Sequence, residues 1–179
     1  MIDDNTPLSR AAVLGSPLSK LSRGMKNVIR RARIEHLSGE LLRLAQLQRL
    51  PVPVEELLAC PPLNLWTLPY DQPPDYPTAL PQSPEGRMDT ARAIARLVGE
   101  SHWDMCLKLL GDSPLSDYEV DVFATALLLP TALLAGINER QRTPTNVALL
   151  FQVPLAYAVT RLAELGYLRD MERFESEIL

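Results

Sequence analysis

Proline placement constrains this chain more than any other feature. A proline lacks the N–H that a helix or sheet interior uses, and its ring clashes with the preceding helical turn. There are 16 prolines in 179 residues. Eight of them crowd one stretch: Pro61, Pro62, Pro69, Pro73, Pro74, Pro77, Pro81 and Pro84. That density forbids a helix there and leaves only edge or broken strands. Leu63–Leu68, short, apolar and proline-bounded, predicts a strand, and Thr78–Leu80 an edge strand.

Elsewhere the prolines leave room for helices. Val28, Ile29, Ile34, Leu37, Leu41, Leu42, Leu44, Ala45 and Leu47 recur mainly at steps of three and four, predicting a helix from about Ser22 to Gln48 that Pro51 and Pro53 stop. A helical turn follows at Glu55–Ala59. Ala91, Ile94, Ala95, Val98, Met105, Leu107 and Leu110 predict one helix from Arg87 to Leu110. Ser116 and Glu119 have capping-box spacing and open a helix that ends before Pro130. A short helix is expected at Thr131–Ile137. Thr143-Pro144 pairs a cap residue with proline at the first helical position, opening two short helices near 144–151 and 154–165. Gly166 suits a helix C-terminus.

With 46% apolar residues the chain can bury a core. The net charge of -4 excludes a polycation that coats nucleic acid, yet the charge is uneven. Arg10, Lys20, Arg23, Lys26, Arg30, Arg31 and Arg33 lie in a stretch without an acid, while Asp170, Glu172, Glu175 and Glu177 load the tail. Cys60 and Cys106 are too few for a disulfide scaffold. The N-terminus shows no apolar signal core, and no apolar run is long enough for a membrane span. A cytoplasmic location with no membrane partner is the expectation.

Four segments, in order and spacing, resemble the ImmA/IrrE group of zinc-peptidase-like domains over residues 30 to 167. Residues 50–59 (LPVPVEELLA) resemble the link that follows the family's first helix. Residues 87–96 (RMDTARAIAR) align with its R-F-T-L-A-H-E-x-x-H helix. Residues 119–130 (EVDVFATALLLP) resemble E-A-N-x-F-A-x-x-L-L-M-P, the most specific of the four. Residues 151–166 (FQVPLAYAVTRLAELG) resemble the family's helix-turn-helix-like end. The resemblance implies a mostly helical α+β fold: a zincin-like ImmA/IrrE domain with a small β-sheet and a C-terminal helix-turn-helix-like pair. It divides the chain into a flexible basic lead-in (1–21), a zincin-like domain (22–142), the helix-turn-helix-like end (143–168) and an acidic tail (169–179).

The same alignment removes the chemistry. Such a zinc site uses two imidazoles at i and i+4, a third protein ligand and a glutamate as general base. Here Arg92 and Arg96 stand at the two histidine positions, Ala93 at the base and Glu119 at the third ligand. A guanidinium offers no lone pair and stays protonated. The degenerate site Arg92, Ala93, Arg96 and Glu119 is thus expected to hold neither zinc nor any other cofactor. Two readings of these residues stand side by side. Either Arg92 and Arg96 pair with Glu119 across the space a metal would fill, or Glu119 completes a capping box with Ser116 while both arginines face water.

The expected function is a non-catalytic pseudo-peptidase acting as a protein-binding or regulatory module. Active relatives cleave helix-turn-helix repressors in stress or mobile-element circuits, so a repressor, a true peptidase or a subunit of a larger assembly is the implied partner. One rival is a zinc endopeptidase with atypical ligands, for which His102, Cys106 and Glu119 are candidates. His36 reads as a helix-surface residue and Cys60 as a small packed one. A second rival binds nucleic acid through candidate residues Arg23, Lys26, Arg30, Arg31 and Arg33. The 143–166 pair has helix-turn-helix proportions. However, its second helix opens Pro154-Leu-Ala-Tyr-Ala-Val, which offers little hydrogen bonding to base edges.

Overall fold

The computed structural model describes residues 17–67, 83–111 and 114–168, with side chains from residue 27 onward. Among the described residues eight α-helices run in the order α1 (Pro17–Leu44), α2 (Val54–Ala59), α3 (Pro84–Glu100), α4 (Asp104–Leu110), α5 (Asp117–Leu128), α6 (Thr131–Ala135), α7 (Pro144–Phe151) and α8 (Leu155–Glu164).

Helix α5 forms the centre. Val120, Phe123, Ala124, Leu127 and Leu128 are buried along it, while Asp117, Tyr118, Glu119, Asp121 and Thr125 stay exposed or partly exposed. It packs against both α1 and α3. From α1 come Ile34, Leu37, Leu41 and Leu42, and from α3 Met88, Ala91, Ile94, Ala95 and Val98. Small residues on α3 (Ala91, Ala95) permit the close approach. Helix α2 leans on α3. Arg87, itself buried, fixes that contact: its Nη1 donates to both Glu55 carboxylate oxygens at 3.0 Å and its Nη2 to the Val52 carbonyl at 2.5 Å.

The helix starts follow local chemistry. Ser83 caps α3 by accepting from the Gly86 N–H, and Thr143 caps α7 by accepting from Asn146, each with proline at the next position. The bend between α7 and α8 turns on Gln152, whose φ of 54° and ψ of 54° place it in the left-handed region, with Val153 buried beneath it. The two axes meet at 117°. Gly166 is left-handed too, with φ 80°, and takes the chain out of α8.

Three expectations need correction. Among the described residues there is no strand, so the small β-sheet is overturned and the described fold is helical. Pro62–Asn64 instead form a 3-10 turn, in which Leu63 and Asn64 take positive φ, and Leu65–Thr67 pair with nothing as a strand. The Trp66 indole N–H donates to the Leu58 carbonyl, which holds this segment against the end of α2 rather than in a ladder. Leu68 and Thr78–Leu80 lie outside the described residues. Second, the expected helix from Arg87 to Leu110 is two helices, α3 and α4. Ser101 takes extended backbone and its hydroxyl donates to the Val98 carbonyl, an alternative to the helical ladder. Third, the first helix runs from Pro17 to Leu44 rather than from about Ser22 to Gln48; residues 1–16 and 169–179 lie outside the described residues.

No described helix is long and apolar enough to cross a membrane. Phe123→Ala should cost about 3–5 kcal/mol, the range for truncating a buried aromatic. Val159→Ala, at a half-exposed position on α8, should cost under about 1 kcal/mol. Urea melts of the two variants check this.

Candidate functional site

The residues singled out by the alignment sit on α3 and α5, which pack side by side. Arg92 points from α3 toward α5 and α8. Its Nε donates to Asp121 at 2.7 Å, its Nη1 to Asp89 at 2.8 Å and its Nη2 to the Tyr157 hydroxyl at 2.5 Å. The guanidinium also lies over the Tyr157 ring, 5.8 Å from its centroid. Arg96, one turn on, is half-exposed, with Asp117 at 3.9 Å. Ala93 is buried.

Glu119 turns elsewhere. Its Oε2 accepts from the Ser116 backbone N–H and from the Ser116 hydroxyl, both at 2.8 Å, closing a capping box at the start of α5. Its Oε1 accepts from Arg30 Nε on α1. The expected pairing of Arg92 and Arg96 with Glu119 is therefore replaced: α1 supplies the cation for Glu119, and Asp89 and Asp121 supply the acids for Arg92. Burial pushes the Glu119 carboxyl up, but the Arg30 guanidinium and the two Ser116 donors outweigh it and hold it below the ordinary carboxylate range.

The candidate nucleic-acid residues are largely spoken for. Arg30 also donates to the Leu110 carbonyl and Arg33 to the Leu109 carbonyl, both at 3.3 Å, so the two cations sit on the C-terminal end of α4. Arg31 pairs with Glu35 at 3.2 Å and with Glu164 on α8. The side chains of Arg23 and Lys26 are not among those described. The three described members of the set thus face protein acids and carbonyls, which competes with phosphate for the same donors.

The alternative metal set does not come together. His102 precedes α4 rather than sharing a helix with Cys106, because of the break at Ser101–Trp103. His102 is exposed beside Trp103, whereas Cys106 is buried, which pushes its thiol up. Among the described residues no three of His, Cys, Asp and Glu stand close enough to hold one ion. His36 is exposed on α1, as expected, but Cys60 is exposed rather than packed.

Next to Arg92 opens a cleft of about 360 Å³ between α1, α5 and α8. Its walls include Tyr118, Val122 and Thr125 from α5 and Ala156, Tyr157 and Thr160 from α8. Arg31, Arg161 and Glu164 line it as well. Arg161 is only 2% exposed and fully employed: Nε donates to the Leu129 carbonyl, Nη2 to Thr131 Oγ1 at 3.0 Å, and both terminal nitrogens reach Glu35. Burial pushes the Glu35 carboxyl up, and Arg161 and Arg31 together hold it below its ordinary value. Tyr118, among the wall residues, is 64% exposed. No motif in the sequence marks Asp121 or Glu35, and Tyr157 and Arg161 stand out there only as polar groups in the second helix of the 143–166 pair. Asp121 stands two residues after Glu119, and Arg161 was in the last aligned segment, so the positions were in view but their pairing was not. Comparison of the chain with protein-family models, curated proteins and solved structures finds no match.

Both carboxyls have folded pKa values below their unfolded ones. Their stabilisation is therefore present above the unfolded value and lost as pH falls through the folded one. Glu119→Gln should destabilise by about 1–3 kcal/mol at pH 7, as for a lost charged hydrogen bond. The penalty should shrink as pH falls below the ordinary glutamate value of about 4.3, where the unfolded chain's carboxyl takes up its proton before the folded one does. Thermal melts of wild type and variant between pH 3 and 7 read it out.

Proposed function

We propose that this chain is a protein-binding regulatory module, a non-catalytic relative of the ImmA/IrrE-type peptidases. The observation that carries the reading is the fixed state of Arg92. Where the resemblance places a zinc-binding imidazole, a permanent cation is held by Asp89, Asp121 and Tyr157. A divalent ion would meet a positive charge there instead of a lone pair. Ala93 offers no base, and Glu119 is engaged by Ser116 and Arg30. The donor set does not fit zinc, and no hydrolytic step is assigned to it.

What the site retains is a shaped surface. A cleft of about 360 Å³ with two tyrosines, two threonines and aliphatic walls accommodates one or two side chains of a protein segment. Apolar side chains are also exposed on α7 and α8, with Leu149 71% and Leu155 52% exposed. Tyrosine supplies large contact area with little rotamer entropy to lose, which suits a recognition surface. The regulatory setting implied by the resemblance supplies the partner class: a transcriptional repressor, an active peptidase or another subunit of an assembly.

Purified protein should carry well under one zinc per chain by elemental analysis, and a chelator should leave its melting temperature unchanged. Stoichiometric zinc with a chelator-sensitive melt would overturn the non-catalytic half of this reading. For the binding half, Tyr118→Asp alters an exposed side chain. It should abolish retention of the partner captured by the wild-type chain while leaving the melting temperature in place. Equal capture by both would remove the cleft from consideration.

A further inference from the structure

Both tryptophans of the chain, Trp66 and Trp103, line one cavity. It measures about 790 Å³ and lies between the Leu63–Thr67 segment and the junction of α3 with α4. It shares no lining residue with the cleft beside Arg92. Trp66 is held there by its bond to the Leu58 carbonyl, and Trp103, half-buried just ahead of α4, by packing against the core.

The charge around this cavity has one sign. Glu100 and Asp104 line it and are exposed, and none of the lining residues is a lysine or an arginine. Among the described residues no ion pair takes in either carboxylate. Arg96, one turn before Glu100, reaches to Asp117 instead. Glu100 is also the last residue of α3, so the negative pole of a 17-residue helix adds to its charge. Asp104 stands in the first turn of α4, whose positive pole offsets part of its own. Glu100 and the end of α3 thus dominate, and the cavity favours a cation.

The walls decide which cation. No three metal-binding side chains among the described residues come close enough to hold an ion. Indole, however, is the strongest aromatic partner for an organic cation, and a guanidinium adds a planar fork that matches a carboxylate. Leu63, Leu65 and Leu97 offer apolar surface to the alkyl stem behind such a head group. A pocket for a free small molecule encloses most of its ligand. Here Leu63 is 73% exposed, and Asn64 and Thr67 are exposed beside it. An extended segment laid across such an open surface buries more of itself than a free amine does.

We propose that this cavity is a recognition site for an arginine presented by a segment of a partner protein, with Glu100 and Asp104 receiving its guanidinium beside the two indoles.

Because the chain has no other tryptophan, the intrinsic fluorescence of the whole protein reads this site directly. The probe is a blocked pentapeptide with arginine at its centre and leucine on either side. It should change the emission saturably, and raised salt should weaken the effect. The same peptide with citrulline, which keeps the shape and loses the charge, should bind roughly tenfold more weakly. Glu100→Gln, at an exposed position, should weaken the arginine peptide by roughly threefold and leave the melting temperature unchanged. Equal binding of the two peptides, or no saturable change with either, would overturn the proposal. So would N-acetylarginine amide binding as tightly as the peptide, since the occupant would then be a small organic cation.

Discussion

The burial of Phe123, Leu127 and Leu128 in the core that α5 shares with α1 and α3 is the contact on which the rest of this molecule depends. Helices α1 and α3 each pack against α5. Once that core is closed, the polar groups around it have little freedom. Glu119 lies at the start of α5 and meets α1, whereas Asp121, two residues on, meets α3. The apolar core thus decides which arginine reaches which acid. The ion pairs refine an arrangement that burial has already fixed, consistent with the modest net worth of partly exposed pairs.

Much of this was legible in the sequence. The proline spacing, the capping box at Ser116–Glu119 and the Thr143-Pro144 start all mark real boundaries, because each acts through backbone hydrogen bonds within one turn. The failures arose where local pattern competes with tertiary contact. Leu63–Leu68 has strand composition, but a strand needs a neighbour to pair with, and Trp66 finds its partner in the Leu58 carbonyl. The apolar period from Ala91 to Leu110 runs straight through Ser101, and only the serine's hydrogen bond to Val98 marks the break.

The site itself was half legible. That Arg92 and Arg96 cannot ligate a metal follows from residue identity alone, since a guanidinium offers no lone pair wherever the side chain points. The partners of those arginines do not follow from identity. Arg30 was grouped with a nucleic-acid-facing set because it lies in a basic run, and no pattern within one helix reveals that Glu119, 89 residues away, will sit beside it. Charge runs describe composition, and burial decides which of their members remain available to a partner.

The seven-residue helix α4 illustrates how far this extends. An isolated helix of that length is unfavourable in water, because nucleation costs more than so few hydrogen bonds return. Its end is held by Arg30 and Arg33 of α1, whose guanidiniums donate to the Leu110 and Leu109 carbonyls at its negative pole. Helix α4 is therefore conditional on α1: it is a local shape with a remote cause. Whatever loosens the neighbourhood of Arg30 unwinds this segment too, so Cys106, buried on it, becomes reachable only when a helix more than 60 residues earlier in the chain lets go.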